Sequence, residues 1–439
     1  MVVILLKKRI IIFIVFLILF FLVSSLIVVD GDEVNCFGFS YNIARGLVPY
    51  KDFNMVMGPL YSLIMTPLIK LFGNYYIIFK LEHCIIYSLV FTFIYEKFNN
   101  KTLFLFFIFC ARDALFGYNS FVLILFLAIL LLHGSKVKSK NIIIGILIGI
   151  IIMTKQNIGF CLLIAYLIIN RKKIIECFSI LIPIVPVIIY LIINNTVKEY
   201  IDFCYLGLGS FFDNLYIDFN SIVGYLIFLI PFIYMIIKRK KNDPEILYIL
   251  AFQSISIPIF DEQHIFAGAV PIVYYIFQKN NNKIIDYYIK TFLTIFFVMF
   301  IGASLKDSKL MTEENFLKYQ LVNKNVPKYL KNYSKYIEDN NEYRIYLFME
   351  NAYLLKIYRN EPIDFYDMID KGNMGSNEKY YVEKMEKDCS KKKCMFILDS
   401  YFYKDNYYQG MEIFKDSVEK NYKFLEILPS GDKIYINKK

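Results

Sequence analysis

The first 304 residues of this chain are apolar runs separated by short polar loops, a pattern unlike the stripe of a surface helix or the alternation of a strand. The runs are Ile10–Val29, Tyr75–Tyr95, Thr102–Cys110, Phe121–Leu132, Ile142–Met153, Gly159–Ile169, Ile174–Ile193, Ile222–Ile237, Ile246–Phe260, Ile265–Phe277 and Ile284–Ser304. The longest can cross roughly 30 Å of hydrocarbon as single helices. The pattern therefore predicts about 11 transmembrane helices. Several runs are short, so some helices are expected to begin or end inside the protein, where irregular backbone is buried or lines a wet cavity.

Every second loop is basic: Lys7 to Arg9, Lys97 and Lys101, Lys136 to Lys140, Arg171 to Lys173, Lys238 to Lys241, then Lys279 and Lys283. The intervening loops carry Asp30, Asp32, Asp113, Asp202, Asp213, Asp218 and Asp261. Basic loops mark the cytoplasmic side. The amino terminus is thus expected inside, behind an uncleaved anchor, and the carboxyl terminus outside. Beyond Ser304 the chain turns polar. Lys306–Asn325 reads as a linker, and Val326–Asn340 has helical spacing. Arg344–Met349 reads as a strand, Ala352–Tyr358 as a helix, Met395–Leu398 as a strand and Gly410–Glu419 as a helix. Phe424–Leu428 and Lys433–Ile436 form a hairpin. This predicts a transmembrane domain over 1–304, with an amphipathic first outer loop at 30–73, and a small extracytoplasmic α/β domain over 305–439.

Composition agrees: of 439 residues, 57% are hydrophobic and 20% charged, more apolar than a soluble core requires. The net charge of +10 is accounted for by the basic loops, so it does not imply nucleic acid. Four of the eight cysteines, Cys84, Cys110, Cys161 and Cys177, fall in apolar runs; Cys389 and Cys394 are close enough to bridge if they face an oxidising space. No zinc spacing, internal repeat or phosphate loop is present, and Gly372–Gly375 lacks the Lys-Ser/Thr that a phosphate loop requires.

The chemistry concentrates after the first crossing. Asp30, Asp32 and Glu33 stand where the helix leaves the bilayer, and ionisable groups beside hydrocarbon point to function. The residues Val34, Phe37, Tyr41, Ala44 and Leu47 then recur at helical spacing, with Gly46 placed to close the helix and a second amphipathic run at Leu60–Phe72. In order, the chain reads Asp32-Glu33, Ala44-Arg45-Gly46, Pro49-Tyr50-Lys51-Asp52-Phe53, Gly58-Pro59-Leu60-Tyr61 and Leu71-Phe72-Gly73. This order resembles the first outer loop of the GT-C superfamily of membrane glycosyltransferases, in its protein-mannosyltransferase-like and aminoarabinose-transferase-like (glycosyltransferase family 39-like) branch. The resemblance covers Val28 to about Phe277.

The resemblance implies transfer of a sugar from a polyprenyl-phosphate donor to a glycan, lipid or protein acceptor, with inversion, on the extracytoplasmic face. Such a reaction needs a carboxylate to take the acceptor proton. Asp32 fits the family spacing better than Asp30, and Glu33 is expected to hold Asp32 or a cation in place. The resemblance puts Lys155 and Gln156, in Lys155-Gln156-Asn157-Ile158-Gly159, and His264, beside Asp261, near the donor phosphate. Lys80, a further candidate for the donor phosphate, and His83, in support, stand where relatives carry Arg, and Arg112-Asp113 in a loop where relatives carry an acid. Snorkelling for Lys155, a structural setting for His264 and an internal ion pair for Arg112-Asp113 are the competing readings. Asp30, Asp32, Asp113 and Asp261 are hard-oxygen ligands without a diagnostic metal spacing, so no cofactor or metal is expected to be required. The rival functions are a cell-surface polysaccharide polymerase or ligase, which would carry more outer-loop arginine, and a transporter, which would show paired broken helices.

Overall fold

The computed structural model describes residues 2–29, 31–73, 75–112, 114–207, 216–239, 243–257, 259–306, 308–312, 317–349, 352–363, 378–400 and 412–438. The chain divides into two compact units, one of residues 1–36, 71–187 and 215–324, the other of 37–70, 188–214 and 325–439.

Helix occupies each of the eleven apolar runs. Among the described residues five helices are long and apolar enough to cross a membrane: Leu6–Leu26, Tyr76–Phe98, Ile174–Ile193, Ser221–Lys238 and Lys283–Lys306. Lys101–Cys110, Tyr118–His133, Lys140–Ile152 and Gln156–Ile169 are apolar but shorter. Tyr118–His133 is buried along almost its whole length, as a helix enclosed by others must be.

In the first unit the opening helix packs on Tyr76–Phe98. Phe20 inserts among the rings of Tyr87, Phe91, Phe106 and Phe109 at 4.8–5.8 Å between centroids. Offset and edge-on aromatic pairs at this spacing add about 0.5–1.5 kcal/mol each beyond area burial. The loops read as basic meet at one end of this unit. There Arg9 Nε donates to Glu96 at 2.6 Å, Lys101 pairs with Asp286 at 2.8 Å, and Lys279 pairs with Asp243 and Glu245 at 3.0 and 3.1 Å.

Two expectations in this unit are corrected. The run Ile246–Phe260 is helical only to Phe252, continues as a 3-10 turn over Gln253–Ser256 and ends as a strand at Ile259–Phe260. Ile257 precedes a proline and is extended (φ −110°, ψ 128°), the conformation that position favours. The expected linker holds a hairpin, Ser308–Leu310 antiparallel to Leu321–Asn323. It forms because Met311, Leu317 and Val322 are all buried.

In the second unit the sheet has strand order Arg344–Phe348, Cys394–Leu398, Lys433–Asn437, Tyr422–Ile427, with the first pair parallel and the others antiparallel. The helix Glu378–Cys389, which lies before the second strand, was not anticipated: its polar residues hide a short buried stripe of Tyr381, Val382, Met385 and Cys389. Cys389 and Cys394 form a disulfide.

The loop motifs have local causes. Helix Gly31–Ala44 ends at Gly46, whose φ of +87° is the left-handed value that favours glycine. In Pro49-Tyr50-Lys51-Asp52-Phe53 the Asp52 carboxylate accepts the Val48 N–H at 2.7 Å and Tyr50 N–H bonds the Phe53 carbonyl at 2.8 Å, which makes a tight turn. Tyr50 is buried there and donates to the Met57 carbonyl at 2.5 Å. The run Leu60–Phe72 forms two helices, Leu60–Ile64 and Thr66–Phe72.

The helix after the first crossing reads from its sequence as amphipathic, with one apolar face, yet it is buried all round from Cys36 to Asn42. Within the second unit, Asn42 both donates to the Ile363 carbonyl and accepts the Ile363 N–H, each at 3.0 Å. A side-chain amide thus pairs with backbone as another strand would. Asn42→Ala leaves both Ile363 groups buried without that partner, at a cost of roughly 1–3 kcal/mol per group. We expect earlier thermal unfolding and faster proteolysis within 325–439, read by limited digestion in detergent.

Candidate active site

Lys155 stands between the helices Lys140–Ile152 and Gln156–Ile169, in extended backbone (φ −136°, ψ 98°). So short a connection forces the two helices together. A side chain at Gly159 would place its Cβ 2.4 Å from Ile152 Cα and 2.7 Å from Ile152 N; only glycine fits against that backbone. The Lys-Gln-x-x-Gly pattern is therefore a packing requirement that holds Lys155 at a helix junction. From the same helix, Asn157 Nδ2 donates to the carbonyls of Ser254 and Ile257 at 3.1 and 3.2 Å, tying down the segment that leads to Asp261. Strand Ile259–Phe260 is further braced by parallel pairing with Tyr216–Ile217.

Asp261 caps the helix Glu262–Lys279. Its Oδ1 accepts the His264 N–H at 2.8 Å and bonds His264 Nδ1 at 2.7 Å. His264 Nε2 meets Asn119 Nδ2 at 3.3 Å, and Asn119 Oδ1 accepts from Lys155 Nζ at 2.6 Å. Lys155 also lies 5.3 Å from the centre of the Tyr118 ring. Asp261, His264, Asn119 and Lys155 thus form one hydrogen-bonded chain within the first unit.

Asp32 completes the group. It lies at the start of helix Gly31–Ala44, in the electrostatic field of His264, Asp261 and Lys155. Asp32 is reached by solvent, and Lys155 and Tyr118 are partly so. Burial is nonetheless the strongest influence on the Asp32 carboxyl. Asp32 is thus surrounded by protein on most sides yet open to solvent, as in a surface recess. Burial pushes the Asp32 carboxyl above its ordinary value; His264 and Lys155 oppose the shift and Asp261 adds to it. Burial brings the Lys155 ammonium down to about 8, against the pull of Asp261 and Asp32. Asp261 resists burial through its bonds to His264 and stays below the usual carboxylate range.

The other predicted residues have different surroundings. Glu33 is buried, accepting from Tyr76 OH at 2.5 Å and from Phe116 N–H at 2.9 Å; it ties Asp32's helix to the turn that precedes Tyr118 and Asn119. Gln156 is buried at the first residue of its helix. Lys80 is buried and donates to the Ser24 carbonyl at 2.9 Å and Gln320 Oε1 at 2.5 Å, with the Tyr76 and Phe116 rings near its ammonium. That is the geometry of a packing cation, not of a phosphate ligand. His83 is buried against the Phe79, Tyr87 and Phe116 rings with Nδ1 on the Phe79 carbonyl. Arg112 donates to the Phe109 carbonyl and Ser120 Oγ. Asp30 and Asp113 lie outside the described residues. Reading the sequence did not single out Asn119 as a site residue. Its one signal is its place in the outer loop at the head of a wholly apolar run.

Among the described residues no cluster of three or more His, Cys, Asp or Glu side chains could hold a metal ion. The arrangement offers a carboxylate of raised proton affinity within electrostatic reach of a cation, with a neutral amide and an Asp–His pair linked to that cation by hydrogen bonds. It can take a proton from an incoming hydroxyl and receive negative charge on a departing group.

No family model and no curated protein sequence matches the chain. Among solved structures, it is similar to ArnT from Cupriavidus metallidurans bound to undecaprenyl phosphate, at a TM-score of 0.59 and 11% identity, over 98% of each chain. It is also similar to the same protein in the apo state, at 0.56 and 11%, over 98% of this chain and 97% of that one. ArnT, a 4-amino-4-deoxy-L-arabinose transferase, is a GT-C glycosyltransferase. The likeness is one of fold, running from end to end of both chains.

Proposed function

We propose that this chain is an integral-membrane glycosyltransferase that moves a sugar from a polyprenyl-phosphate carrier to an acceptor, inverting the anomeric carbon. The observation that carries the reading is that Asp32, open to solvent, lies within electrostatic reach of Lys155 in the first unit, on a fold shared with a transferase whose structure holds undecaprenyl phosphate. Asp32 takes the proton of the acceptor hydroxyl as its oxygen bonds to the anomeric carbon. The bond from that carbon to the phosphate oxygen breaks, its electrons leave with polyprenyl phosphate, and Lys155 meets the charge that develops. Fixed charge aimed at a leaving oxygen lowers a barrier more effectively than mobile water does. Turnover takes place on the extracytoplasmic face in this reading, a placement that the alternating loop charge and the Cys389–Cys394 disulfide support.

The test is release of polyprenyl phosphate from a short-chain polyprenyl-phosphate sugar by purified protein. No release with any sugar, together with uptake of a solute by vesicles containing the protein, would favour a transporter instead.

The pH dependence follows from the two charges. Asp32 acts deprotonated, and its proton affinity is raised, so kcat/KM falls as pH drops through a value above the ordinary carboxylate range. Lys155 acts charged, so kcat/KM falls again as pH rises through about 8. In kcat the alkaline limb moves higher, because a bound phosphate holds the proton on Lys155. A kcat/KM profile flat from neutral pH to well beyond 8 would remove Lys155 from the phosphate site.

A further inference from the structure

We infer that Asn119 is the positioning residue of the cation site: it orients the Lys155 ammonium while adding no negative charge of its own. This rests on the lipid-donor reading above.

The argument starts from donors and acceptors. An ammonium only donates, so the amide atom 2.6 Å from Lys155 Nζ is the oxygen. The other end of the amide, Nδ2, must then donate to His264 Nε2 at 3.3 Å. That leaves Nε2 without a proton and puts the ring proton on Nδ1, where the Asp261 carboxylate accepts it at 2.7 Å. Each link fixes the next. Asp261 sets the tautomer of His264, His264 sets the orientation of the Asn119 amide, and the amide presents its oxygen to Lys155.

The choice of an amide has a chemical consequence. A carboxylate at residue 119 would hold Lys155 more firmly, but it would cancel the positive charge that a phosphate needs and repel the phosphate itself. An alkyl side chain would leave the ammonium without this acceptor. A neutral acceptor orients without cancelling. Asn119 is buried at the head of a helix with no exposed residue, so its oxygen has a fixed position. The groups facing Lys155 are Asp32 from helix Gly31–Ala44, Asp261 and His264 from the start of Glu262–Lys279, and the Tyr118 ring beside Asn119. With two carboxylates already in reach of one ammonium and His264 neutral, a third at residue 119 would take the site from one net negative charge to two.

The test measures binding of polyprenyl phosphate, without any sugar, to the full-length protein in detergent across a pH range that brackets about 8. Wild type is compared with Asn119→Asp, which keeps the side-chain size, and with Asn119→Leu. Both variants are expected to bind on the order of tenfold more weakly, the size of one hydrogen bond to a charged group. The two differ in where binding is lost at high pH. Asn119→Asp shifts the alkaline limb upward because the new carboxylate holds the lysine proton; Asn119→Leu shifts it downward or leaves it in place. A general packing defect would not move the limb upward in the isosteric variant. Normal wild-type binding with the Asn119→Asp limb unmoved would overturn the role of Asn119 alone. Absence of polyprenyl phosphate binding by wild type at every pH would overturn the lipid-donor reading and this inference with it.

Discussion

Asp32→Asn should lower turnover by ~10² to 10⁴-fold, the range that a positioned general base contributes, while leaving polyprenyl phosphate binding intact or tighter. The asparagine keeps the shape of the side chain and loses only the ability to take a proton. It also removes one negative charge from the field around Lys155, which should favour a bound phosphate. Loss of turnover with retained binding therefore separates a base from a residue that merely shapes the recess. A second signature is the pH profile: the acid limb assigned to Asp32 should disappear from whatever activity is left. Undiminished release of polyprenyl phosphate by Asp32→Asn would take the base role from Asp32. Asp261 is the weaker candidate, because its Oδ1 bonds both the backbone N–H and Nδ1 of His264, which hold its carboxylate in place.

How far the chain could be read in advance differs between its parts, for physical reasons. The basic loops were legible because clustered Lys and Arg are a property of local composition, and several of these loops are joined by Arg9–Glu96, Lys101–Asp286 and Lys279–Asp243. The strands Arg344–Phe348 and Cys394–Leu398 were legible because they are almost wholly buried and hence almost wholly apolar. The helix Glu378–Cys389 was not, since a narrow buried stripe among charged residues leaves little pattern. In the site, Asp32, Lys155 and His264 were visible as ionisable groups at the ends of apolar runs. Asn119 was hidden because an uncharged amide at a helix start has many ordinary uses, and only its neighbours His264 and Lys155, both distant in sequence, give it a role. Lys80 misled for the converse reason. It too is a cation beside an apolar run, but the carbonyl of Ser24 and the amide of Gln320 that satisfy it are 56 and 240 residues away.

Lys155→Met should reduce kcat/KM by ~10² to 10³-fold, the cost of removing one group aimed at charge that develops in the transition state. Methionine keeps much of the unbranched stem, so the helix junction at Gly159 and its contact with Ile152 should survive. The variant should also alter the acid side of the profile, because Lys155 lowers the proton affinity of Asp32. Without that cation the Asp32 carboxyl rises further above its ordinary range, and the acid limb moves to higher pH. The alkaline limb near 8 should vanish at the same time. These two shifts run in defined directions from one substitution, which a loss of folded protein would not produce. An acid limb that stays where it is in Lys155→Met would mean that Asp32 and Lys155 do not share a recess, and the assignment of base and cation to one reaction would fail.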